Sequence, residues 1–64
     1  MKVLLRNPRR EVEVQGPKRV QVLLAELGVN RESVLVIRGD TLVTHDVVLE
    51  DADTIEVRPV TSGG

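Results

Sequence analysis

Sixty-four residues with no Cys, no aromatic residue and a single His leave room for one small core. They exclude disulfides, thiolate metal sites, Cys nucleophiles and aromatic stacking platforms for single-stranded nucleic acid. Net charge is −1, yet residues 1–19 carry six basic and two acidic side chains while residues 40–57 carry six acidic and no basic ones. That offset argues against direct nucleic-acid binding and leaves solvated loops, or a polarised surface that orients a charged partner.

A chain this short buries only ~60% of the surface it exposes when unfolded, which leaves little for a deep catalytic cleft. Thirteen Val residues and no aromatics mean a β-branched core, which favours sheet. Lys2 to Asn7 reads as a first strand and Pro8-Arg9-Arg10 as a turn. Glu11-Val12-Glu13-Val14-Gln15 alternates polar and apolar, so it reads as a half-buried strand completing a hairpin. The opening apolar run, Val3-Leu4-Leu5, is too short for a signal peptide and nothing later approaches a membrane span; a cytoplasmic location is expected.

Gly16-Pro17 breaks the strand, and Pro17 suits a first helical turn, where its missing N–H is not needed. Val20, Leu23, Leu24 and Leu27 then fall on one helical face, and Gly28 suits the left-handed residue that ends a helix. The spacing predicts a helix from about Pro17 to Leu27. Ser33-Val34-Leu35-Val36-Ile37 is continuous, as in a strand covered on much of both faces. Arg38-Gly39-Asp40 reads as a turn rather than an adhesion tripeptide. Thr41-Leu42-Val43 and Val47-Val48-Leu49 are short strand-like pieces around Thr44-His45-Asp46, where His45 reads as a solvated turn residue. Glu50-Asp51-Ala52-Asp53 is a polar loop, its two Asp residues too few and too local for a metal site. Thr54-Ile55-Glu56-Val57-Arg58 alternates as a last strand, and Pro59 discourages further pairing.

This order predicts an α+β domain over residues 1–64, one helix on one face of a mixed four- to five-stranded sheet with the first and last strands at its centre. Leu5, Val12, Leu23, Leu27, Val34, Ile55 and Val57 are the expected core. Val36, Leu42 and Val60 are expected on the face away from the helix, as an apolar docking patch or as ordinary core packing. Residues 59–64 form a protruding tail, and those after about Val60 are expected to be mobile because they lack apolar anchors and end in Gly63-Gly64.

Two successive glycines at a given place occur by chance in ~0.5% of chains. A C-terminal carboxylate, with a pKa of ~3.3–3.7, is ionised and a poor electrophile at neutral pH. It becomes reactive when a partner joins it to the α-phosphate of ATP as an acyl-adenylate. Glycines lacking a Cβ can thread a narrow channel to that phosphate, small Thr61 and Ser62 can follow, and Pro59 sets the direction of departure.

The stretch Leu49–Gly64, with its acidic turn, alternating strand, proline and Ser-Gly-Gly ending, resembles the C-terminal signature of the ThiS/MoaD ubiquitin-like sulfur carriers, and Leu24-Ala25-Glu26-Leu27-Gly28 fits the same pattern. Ala52 stands where the family often has Gly, and Arg38-Gly39 where many members have Asn-Gly. The resemblance implies a β-grasp fold and a protein co-substrate rather than an enzyme. It implies that Gly64 is adenylated by an E1-like enzyme that consumes ATP, and converted to a thiocarboxylate with sulfur from a cysteine desulfurase or rhodanese-type donor. The chain itself would bind no cofactor and no metal. A sulfurtransferase acting on tRNA is the preferred recipient, with thiazole synthase and molybdopterin as alternatives. A protein modifier conjugated through Gly64, or a passive β-grasp interaction module, also remains open.

Overall fold

The first and last strands lie side by side in the middle of the sheet. In a computed structural model that describes residues 1–6 and 9–60, β1 (Lys2–Arg6) and β7 (Thr54–Pro59) run parallel, with Val3 opposite Ile55 and Leu5 opposite Val57. Asn7, Pro8 and the tail residues Thr61, Ser62, Gly63 and Gly64 lie outside the described residues, and with them the expectation of a mobile tail. β2 (Arg9–Glu13) pairs antiparallel on the outer side of β1, and β4 (Val34–Arg38) and β5 (Thr41–Val43) follow beyond β7, giving the order β2-β1-β7-β4-β5. The expected strand after the turn ran from Glu11 to Gln15; pairing with β1 instead draws in Arg9 and Arg10, opposite Arg6 and Leu5.

α1 (Val20–Leu27) covers one face of this sheet, as one helix on a mixed sheet requires. Its start falls three residues after the expected one. Lys18–Arg19 forms β3, which pairs with β6 (Val48–Leu49) as a separate two-stranded ribbon, so Pro17 lies ahead of the helix, after a cis Gly16–Pro17 bond. Arg19 offers no side-chain cap. The first helical N–H groups are satisfied instead by the chain that crosses them, Val20 N donating to the Val47 carbonyl and Gln21 N to the His45 carbonyl, both at 3.0 Å. At the other end Gly28 takes φ 71°, and Gly28 and Val29 N–H groups bond back to Ala25 and Leu24, a Schellman stop.

The core is Met1, Val3, Val20, Leu23, Leu24, Val36, Leu49, Ile55 and Val57, all buried. Leu23, Ile55 and Val57 are as expected, while Leu5, Leu27 and Val34 are half-buried and packed against that cluster. Val12, opposite Val3 on the outermost strand, is half-buried and outside it. β4 is less covered than its apolar run suggests, since Leu35 is 44% exposed on the face away from α1. Among the described residues no helix is long and apolar enough to cross a membrane.

Candidate functional site

The residues expected to carry chemistry begin where β7 ends. Pro59 is still in register with Val34, and Val60 N donates to the Ser33 carbonyl at 2.8 Å, so the strand is held up to the last described residue. The end of β7 is therefore at the centre of the sheet, flanked by β1 and β4. Gly64, Gly63, Ser62 and Thr61 themselves lie outside the described residues.

The departure end is basic. Parallel β1 and β7 bring Arg6 beside Arg58, and both reach Glu56, whose Oε2 accepts from Arg6 Nε at 2.6 Å and lies 3.5 Å from Arg58 Nε. Arg9 and Arg10 open β2 at this end, and Arg31 sits in the short 3-10 helix (Arg31–Ser33) that leads into β4. Below them a cavity of about 180 Å³ is lined by Leu5, Val29, Val34, Val57 and Pro59, with Arg6 and Arg10 at its rim. The opposite end is acidic. Glu13 closes β2, Asp40 follows β4, and Asp51 and Asp53 lie beside the start of β1, where Lys2 N donates to the Asp53 carbonyl. The two ends of the sheet thus differ in charge, although they mix the sequence segments: Lys2 and Glu13 lie at the acidic end with Arg38, and Glu56 lies between Arg6 and Arg58 at the basic one.

Those acidic residues hold loops. Asp51 Oδ1 accepts from Gly16 N at 2.8 Å and lies 3.5 Å from the Met1 ammonium, which itself donates to the Val14 carbonyl at 2.6 Å. The Gly16 bond first, and the ammonium second, hold the Asp51 carboxyl below its ordinary value. Asp53 Oδ2 accepts from Glu50 N at 2.8 Å and lies 3.9 Å from Arg38. Asp46 accepts from the Thr44 hydroxyl at 2.6 Å, which lowers its pKa, in the turn whose His45 carbonyl caps α1. Among the described residues no group of three or more His, Cys, Asp or Glu side chains is placed to hold a metal ion.

The sheet face away from α1 is partly bare. Leu42 is 61% exposed there and Val60 is exposed beside the departure point. Val36, expected on this face, is buried against the helix side, opposite Val57 and Val43, and cannot serve as a contact. Strand alternation gives its place to Leu35 and Ile37, with Ile37 directly opposite Leu42 and Leu35 opposite Arg58. Period 2 alone could have found them, but in an unbroken apolar run it leaves two phases, and one residue of slip exchanges the faces.

The ThiS family model matches residues 3–64, which takes in nearly every described element and the Gly-Gly end. The sulfur carrier protein TtuB of Thermus thermophilus is 45% identical to this chain over 65 residues, covering 100% of both. By that match, and with one helix on a mixed five-stranded sheet whose central strand is β7, the chain belongs to the ThiS family.

Proposed function

We propose that this chain is a sulfur carrier whose working group is the Gly64 carboxylate. The observation that carries this reading is the family match that runs through the sheet to residue 64, joined to a β7 that lies at the centre of the sheet and ends five residues before Gly64. In the reaction a Gly64 carboxylate oxygen bonds to the α-phosphorus of ATP and pyrophosphate leaves. The terminal sulfur of a donor persulfide then bonds to the acyl carbon as AMP departs. A thiol attacks the donor sulfur of the resulting acyl disulfide, so that the S–S bond breaks, the thiocarboxylate leaves with the electron pair and the thiol and donor are left joined as a disulfide. The protein supplies the acyl group and its placement, and an E1-like partner supplies the catalysis, so the chain acts as a co-substrate in the cytoplasm. Thiolated tRNA is the preferred destination of the sulfur, in keeping with likeness to a Thermus sulfur carrier; thiamine thiazole is next.

Docking to the activating enzyme falls to the bare face formed by Leu35, Ile37 and Leu42, with Val60 exposed as well, while the tail from Pro59 through Val60, Thr61, Ser62 and Gly63 enters the enzyme's channel. Intact mass of protein taken from its own host without a C-terminal tag tests the reading: a fraction carrying sulfur in place of one oxygen is expected. Pyrophosphate exchange with the activating enzyme should depend on a free Gly64. Full activity of a protein with residues still attached after Gly64 would leave only the passive module.

A further inference from the structure

We infer that Lys2 is the amine through which one copy of this chain accepts the activated Gly64 of another, so that the protein can be joined to itself head to tail. This rests on the reading that Gly64 is activated. The chain has two lysines, Lys2 and Lys18, and its α-amine. Two of these three amines are held. Lys18 Nζ pairs with Glu26 at 2.5 Å and its side chain is only 19% exposed. The Met1 ammonium donates to the Val14 carbonyl at 2.6 Å, and its residue is buried. Lys2 is 52% exposed on the open face of the sheet, and its ion partner Glu11 is 3.8 Å away and itself exposed, a geometry that restrains an amine weakly.

Placement makes the partner a second copy. Lys2 begins β1 at the end of the sheet opposite the tail's departure. A tail that leaves β7 must reverse direction to approach its own Lys2; a reversal takes a turn of about four residues, and only four follow Val60. Between copies the charges favour the approach. Arg6, Arg9, Arg10, Arg31 and Arg58 lie at the end of the sheet where β7 stops, with only Glu56 set between Arg6 and Arg58, whereas Lys2 lies among Glu11, Glu13, Asp51 and Asp53, of which Asp53 is 3.9 Å from Arg38. A head-to-tail contact of this kind is heterologous and repeats without closing, so it produces chains rather than a symmetric dimer. In the covalent step the neutral Lys2 nitrogen bonds to the Gly64 carbonyl carbon of an acyl-adenylate formed from ATP. The bond to AMP breaks, AMP leaves with the electron pair, and the amine's proton passes to solvent.

The test activates Gly64 chemically, so that it does not depend on any enzyme. Full-length donor bearing Gly64 as an alkyl thioester is mixed near pH 9, where a few per cent of lysine amines are neutral, with isotopically labelled acceptor: native, K2R or K18R. A labelled–unlabelled dimer is expected, with the isopeptide bond at Lys2. K2R should lower its yield about tenfold and K18R should leave it unchanged, with circular dichroism confirming that both variants are folded. High salt should suppress the reaction, since exposed charges are screened beyond about 10 Å at 0.1 M. A bond placed chiefly at Lys18 or Met1, a circular monomer, an undiminished K2R dimer, or no dimer while added free lysine is acylated would each overturn the inference. Pyrophosphate exchange measured in parallel reports on Gly64 activation by itself. Normal exchange without a Lys2 product removes the inference and leaves the sulfur carrier intact, whereas no exchange with a Lys2 product removes the proposed function alone.

Discussion

Asp51 joins three separate pieces of chain: its own loop, the Gly16 turn and the Met1 ammonium. Its depressed pKa makes that junction pH-dependent. A carboxyl whose folded pKa lies below its unfolded value stabilises fully above the unfolded value, and the contribution is lost as pH falls through the folded one. Starting from an ordinary value of 3.8, the loss belongs to the acid range below about pH 4. Asp51→Asn should therefore flatten the fall of Tm between about pH 4 and pH 2 and lower Tm at pH 7, as thermal melts across that range would read; an unchanged acid slope would remove Asp51 from the account. Gly16 beside it is constrained by space. A Cβ there would lie 2.8 Å from Met1 Cε and 3.2 Å from the Asp51 backbone. Gly16→Ala should cost ~1–3 kcal/mol of overpacking in urea denaturation.

Among the elements, α1 shows how burial divides residues that helical spacing treats alike. Leu23 is fully buried, whereas Leu27 of the same stripe is half-buried near the Gly28 stop. Leu23→Ala should cost ~2–5 kcal/mol through lost contacts and a residual cavity, and Leu27→Ala clearly less; denaturant titration of both variants orders them. On β5 the edge position of Leu42 leaves its side chain bare. Leu42→Asp should change stability by no more than ~0.5 kcal/mol. It should raise KM for this protein in pyrophosphate exchange while leaving kcat close to native, because it removes docking and leaves the Gly64 acyl group in place. A native KM would move the docking surface elsewhere.

For the whole molecule, the core and the proposed reactive group occupy different parts of the chain. Among the described residues, every buried member of the cluster lies between Met1 and Val57. Removing Gly64 should therefore leave Tm within about a degree of native, since that cluster, whose burial drives folding, stays whole. It draws the terminal carboxylate back by ~3.3–3.6 Å of extended chain. A misplacement of roughly 1 Å can already cost ~10²-fold in rate, so exchange activity should disappear. A truncated protein that melts normally and still supports exchange would place the reactive group elsewhere.

Local pattern carried much of this protein. Alternation at Val12 and along Ile55–Val57, the stripe at Val20, Leu23 and Leu24, and Gly28 as a stop make a hairpin, one helix and a last strand legible in order, because each depends on residues a few positions apart. The Gly-Gly end and the family pattern before it pointed to Gly64 without any contact being known. What tertiary structure decided depends on distant pairing. The Lys18–Arg19 and Val48–Leu49 ribbon delayed the helix, since neither two-residue piece is a strand until it meets the other. Cross-strand register with β7 and β5, not hydropathy, turned Val36 inward and left Leu35 and Ile37 on the open face. The parallel pairing of β1 with β7 brought Arg6 beside Arg58 where β7 ends, and Lys2 beside the loop of Asp51 and Asp53 where it begins. Periodicity reports only which residues share a face of one element; where that face and its charges point is set by the partners that cover it.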